Sequence, residues 1–163
     1  MDTAGREDTR AYRPLLFDSI RLLHINSDVL SPEPGWLEEV RLNEAPPYYS
    51  ISHCWGNQNQ NTAIQISNHT LHVAPDLAVG IQRLQELAAK DSEIHPPTEY
   101  IWIDKICINQ KDTQELSSQV HLMGRIYSQA VRTLIWLGPE SPMCKEGQCR
   151  EPPHLIHLGV HQV

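Results

Sequence analysis

Short apolar runs alternate with longer amphipathic stretches along this chain, and that alternation limits its fold more than any other feature of the sequence. Residues 48–55 read as a strand, with Tyr49, Ile51 and His53 on one face and Ser50, Ser52 and Cys54 on the other; Pro46 and Pro47 precede it and Gly56 closes it. A helical period follows from Pro75, which tolerates a first-turn position because its missing N–H has no partner there, through Leu77, Ile81, Leu84 and Ala88, with Leu87 widening the stripe. Tyr100-Ile101-Trp102-Ile103 is a continuous apolar run between Glu99 and Asp104, the pattern of a strand buried on both faces. Asp112 and Glu115 have the spacing of a capping box ahead of a second helical period through Leu116, Val120, Met123, Tyr127 and Ala130. Residues 131–137 supply a further apolar strand, ended by Gly138-Pro139. The order strand, helix, strand, helix, strand predicts an α/β fold with a partly parallel sheet and flanking helices, the strand at Tyr100 in its centre.

Smaller elements complete the outline. Residues 20–25 read as a strand that opens the fold and runs into a loop rich in Ser, Asp, Pro and Gly at 26–35. Residues 63–66 and 71–73 flank the turn-forming tetrapeptide 67–70, predicting a small β-hairpin. Beyond Gly138 the periodicity is lost, so residues 139–163 are expected to be an irregular tail.

Several function classes are disfavoured. A chain of 163 residues has room for one domain. A formal net charge of -7, with no dense cluster of Lys or Arg, would repel a phosphate backbone, so nucleic acid is not the expected partner. The first ten residues are polar and no later run reaches membrane-spanning length, so a cytoplasmic protein with no membrane partner is expected. Cys54, Cys107, Cys144 and Cys149 are then expected as thiols, and Asn68-His69-Thr70 has no meaning as a glycosylation acceptor. Cys144, Cys149, His154 and His157 are spaced too tightly for a typical zinc site, so no metal is expected.

Two blocks carry a family resemblance. One is Tyr-Tyr-Ser-Ile-Ser-His-Cys-Trp-Gly at 48–56; the other runs from Trp102-Ile103-Asp104-Lys105-Ile106-Cys107-Ile108-Asn109-Gln110 through Glu115, Met123 and Tyr127 to Trp136-Leu137-Gly138. Together they resemble the heterokaryon incompatibility (HET) domain of filamentous fungi, over residues 12–138. The first block departs from the family pattern at Ser50, Ile51 and His53, and Leu116 stands where the family often has arginine. The resemblance implies non-self recognition and programmed cell death, acting through protein partners or self-association. It also implies a distant TIR-like, flavodoxin-like fold; some TIR domains hydrolyse NAD, so NAD is the cofactor it suggests. The alternatives it leaves are an NAD glycohydrolase and an inactive, truncated copy.

Asp104 follows an apolar strand directly, which places it at the carboxyl end, where open α/β sheets form their ligand crevice; a carboxylate there can equally cap the next turn. Glu115 could stabilise an oxocarbenium-like centre or simply serve the helix N-terminus. These two are the candidate catalytic residues. Ser52, His53, Trp55, Gly56, Cys107, Asn109 and Gln110 are the candidate crevice residues, with loop-holding hydrogen bonds the simpler role for Asn109 and Gln110 and an inert buried thiol the simpler state of Cys107.

Overall fold

The computed structural model describes residues 12–53, 62–89, 99–136 and 155–158; Cys54, Trp55, Gly56, Cys144, Cys149 and His154 lie outside them. The elements run β1 (Ser19–Ile25), β2 (Gly35–Arg41), a 3-10 turn (Leu42–Glu44), β3 (Tyr49–His53), β4 (Thr62–Ile66), β5 (His69–Val73), α1 (Pro75–Ala89), β6 (Tyr100–Ile103), α2 (Asp104–Cys107), α3 (Thr113–Gln129), β7 (Arg132–Trp136) and β8 (Leu155–Leu158). The strands form one mixed sheet in the order β5-β4-β2-β1-β6-β3-β7-β8.

The central parallel part is β6-β3-β7, in which Ile51 pairs with Ile103 on one side and with Leu134 on the other; β2 also meets β4 in parallel, at Gly35 and Ile66. Parallel neighbours need a crossover that leaves the sheet and returns. The chain passes from β3 to β6 through α1 and from β6 to β7 through α3, moving outward from β3 in opposite directions. Right-handed crossovers in opposite directions place their helices on opposite faces of the sheet. The register agrees: Trp102 pairs with Ser50 and stacks edge-on with Tyr127 of α3, whereas Trp136 pairs with His53 and meets Gly80 of α1. Ser50 and His53 are an odd number of residues apart, so these two tryptophans point to opposite faces. The strand at Tyr100 is therefore interior and flanked by the two helices, and Ile101, Trp102 and Ile103 are almost wholly buried.

Four features differ from the sequence reading. The loop expected at 26–35 ends in β2, which pairs antiparallel with β1 over its whole length. Gly35 opposes Ile25 there, and a Cβ on it would sit 2.1 Å from the His24 carbonyl oxygen, so the close approach requires glycine. The hairpin turn is two residues, Ser67 and Asn68, both at positive φ (54° and 60°); this twist matches that of the strands, so His69 and Thr70 join β5. Residues 104–107, read as loop, form the helical turn α2, in which the Ile108 N–H donates to the Asp104 carbonyl. Within the segment expected to be irregular, Leu155–Leu158 pair antiparallel with β7.

Trp102 is fully buried, and truncation would leave a cavity that rigid strands on either side cannot close. Trp102→Ala should lower the unfolding free energy by about 3–5 kcal/mol, read by urea denaturation; an unchanged midpoint would remove this ring from the core.

Candidate functional site

In a sheet whose parallel strands run second-first-third, the crevice opens beyond the carboxyl ends, beside the strand where the order reverses. Here that strand is β3, and it ends at His53. Trp136 lies opposite His53 at the end of β7, and Asp104 and Lys105 follow the end of β6. The Trp136 indole N–H donates to the backbone oxygen of Asp76 at 2.9 Å, which brings the first turn of α1 to the same rim.

The electrostatics reflect this meeting of elements. Burial pushes the His53 imidazole below its ordinary pKa, with Asp104 and Asp76 pulling it up and Lys105 pushing it down. Burial also lowers the Lys105 pKa against the pull of Asp104, and Tyr127 is raised by burial and by the nearby Asp104 carboxylate. A half-buried carboxylate, an imidazole and an ammonium thus share one rim, a set able to accept, donate or orient a proton. Ser52 is half-buried next to His53.

Segment 104–112 is closed by its own side chains. The Asp104 carboxylate accepts the Lys105 N–H at 2.7 Å, and the Gln110 side-chain amide donates to the Asp104 carbonyl at 2.9 Å. The Asn109 side chain accepts the Lys111 N–H at 3.1 Å. Cys107 is fully buried; burial pushes its thiol up to about 12, and the Ile103 N–H points at its sulfur. It is an inert thiol rather than a nucleophile.

Glu115 stands apart from Asp104. Its carboxylate accepts both outer nitrogens of Arg21, at 2.5 and 2.9 Å, and the backbone N–H of Asn109 at 2.7 Å. The helix cap is provided by Asp112 alone, whose side chain accepts the N–H groups of Gln114 and Glu115; the glutamate does not reach back to the Asp112 amide but holds the loop ahead of it. Arg21, Lys105 and Asp76 were not singled out from the sequence. For Arg21 a signal existed, a lone charge in the apolar run Ile20-Arg21-Leu22-Leu23. Among the described residues no group of His, Cys, Asp or Glu is arranged to hold a metal ion, and no helix is long and apolar enough to cross a membrane.

A family model described as "Heterokaryon incompatibility protein (HET)" matches residues 48–159, from the first residue before β3 to just past β8. This chain belongs to the heterokaryon incompatibility family. The HET match covers all three strands that build the crevice and continues past Gly138, where the sequence resemblance stopped. The chain is also similar to heterokaryon incompatibility protein 6, OR allele, of Neurospora crassa, at 34% identity over 106 residues, or 60% of this chain and 15% of that protein. No solved structure matches it.

Two outcomes follow for the HET domain. Removing one member of a buried ion pair leaves the other charged and unsolvated, so Glu115→Ala should cost about 3–5 kcal/mol in urea unfolding; a wild-type midpoint would show the pair to be solvated. His53 binds a proton less readily folded than unfolded, so it favours folding above its ordinary pKa of 6.5 and erodes stability as pH falls below that value. His53→Gln should therefore lose less melting temperature than wild type between about pH 7.5 and about pH 5, and an equal loss would place the imidazole in water.

Proposed function

We propose that this HET domain acts in fungal non-self recognition, with cell death as its output, through self-association or a protein partner, and that its working surface is the rim formed by His53, Asp104 and Lys105. The single observation that carries the reading is that the family match spans the three parallel strands whose carboxyl ends make that rim. The name of the Neurospora relative points the same way. The chain spans a small part of that relative's length, so recognition and output are read for the domain and not for a longer protein.

Asp104 is the most informative residue to change. It is half-buried, its carboxylate accepts the adjacent Lys105 N–H, and its charge reaches His53 and Tyr127. Expressed in a filamentous fungal host, the wild-type chain should arrest growth and kill cells, and Asp104→Asn should accumulate to the same level without killing. A fully toxic Asp104→Asn protein would move the working surface elsewhere. Nicotinamide release from NAD by the purified chain, measured in parallel, separates death by cofactor consumption from death by association.

A further inference from the structure

We propose that Arg21 is the positioning residue of the crevice: its guanidinium, latched by the strap at residues 12–18, sets segment 104–112 through Glu115 and the Cys107 carbonyl. The proposal rests on the rim at Asp104 being the working surface, and it goes beyond that reading by assigning control of the rim to residues ahead of the segment matched by the family model.

The contacts form one chain of hydrogen bonds. Arg21 is 3% exposed and donates to four acceptors: the Cys107 carbonyl at 3.1 Å, both Glu115 oxygens, and the Arg13 carbonyl. Glu115 in turn takes the Asn109 N–H, so one guanidinium holds the end of α2 directly and the loop after it through one carboxylate. A planar fork with fixed donor directions can satisfy this set together; a single ammonium cannot. Because the pair is desolvated, its geometry is steep: a displaced Arg21 leaves the buried Glu115 carboxylate with the Asn109 N–H but no countercharge, and takes a donor from the Cys107 carbonyl.

The strap closes the latch from outside. Tyr12 lies under the guanidinium, 5.0 Å from ring centre to Cζ, and its hydroxyl donates to the Ile106 carbonyl at 3.0 Å. At the other end, Asp18, in the left-handed region at φ 59°, forms two hydrogen bonds with Arg125 of α3, and the Leu16 N–H donates to Glu39 of β2. Between these ends the strap borders a cavity of about 610 Å³ against α3, and Leu16 and Phe17 are 67% and 96% exposed. The strap is therefore secured mainly by polar contacts near its two ends, and its anchors at Tyr12 and Arg13 fall on α2 and Arg21, the same groups that set the rim.

Amide hydrogen exchange on the purified chain tests this. Arg21→Met should speed exchange at residues 108–112, with the Asn109 amide foremost, by about tenfold or more beyond any rise shared with the amides of β3, β6 and β7, whose rates report the global loss of stability from the unpaired Glu115. Should Arg21→Met fail to fold, Arg21→Lys decides: it keeps the charge and the folded sheet but should show the same local rise. Wild-type rates at 108–112, or a rise spread equally over β3, β6 and β7, would overturn the proposal. In the fungal host Arg21→Lys should reduce killing at unchanged abundance. If the wild-type chain itself does not kill, the functional reading fails while the exchange result still stands or falls alone.

Discussion

A parallel strand pair cannot be closed by a tight turn, and most of this molecule follows from that constraint. To place β6 and β7 on either side of β3 and parallel to it, the chain must leave the sheet twice, and each excursion has to bury its own apolar stripe on the way. The first excursion carries α1, with Leu77, Ile81 and Leu84 inward; the second carries α3, with Ile126 inward and Tyr127 against Trp102. With a helix on each face, the three central strands are buried on both sides. Beyond the carboxyl ends, between the diverging crossovers, His53, Trp136, Asp104 and Lys105 then meet from separate elements.

The antiparallel strands extend this core rather than create it. β1 runs antiparallel to β6 and hydrogen-bonds β2 along its length, and the β4–β5 hairpin attaches to β2 beside Gly35. The attachment is reinforced by side chains: the Leu37 N–H donates to the Ser67 hydroxyl and the Asn68 N–H to Glu33. β1 matters most for chemistry. It is the strand that brings a guanidinium into the interior, and an interior charge must be met by an opposite charge and by acceptors for its remaining N–H groups. Glu115 of α3, the Cys107 carbonyl and the Arg13 carbonyl meet that demand from three separated parts of the chain.

Much of the fold was legible in the residues. β3, β6, β7, α1, α3 and the hairpin all follow from local period and turn chemistry, because each element is long enough or apolar enough to reveal its buried face. β2 was hidden: Trp36-Leu37-Glu38-Glu39-Val40 lacks strict alternation, since Trp36 is 44% exposed and gains its stability by stacking on His24 of the neighbouring strand. α2 is only four residues, too short for any period to show, and it exists because Cys107 folds back so that its sulfur meets the Ile103 N–H. β8 is short and follows a Pro- and Cys-rich stretch, so its pairing with β7 is a tertiary contact without a local signature.

The sequence by itself determined the order of elements, the two blocks that mark a heterokaryon incompatibility domain, and the placement of Asp104 at a strand end, because these depend on neighbours a few residues apart. What only the tertiary structure decided is the company each charge keeps. Glu115 has the spacing of a capping residue, yet its carboxylate goes to Arg21, 94 positions away, and Asp104 shares its rim with His53 and Lys105 instead. A capping motif states which amides are nearby; it cannot state which buried cation will be. In a desolvated interior the stronger, bidentate partner prevails over the single exposed amide of a helix end, and that choice is made only once β1 and α3 have packed together.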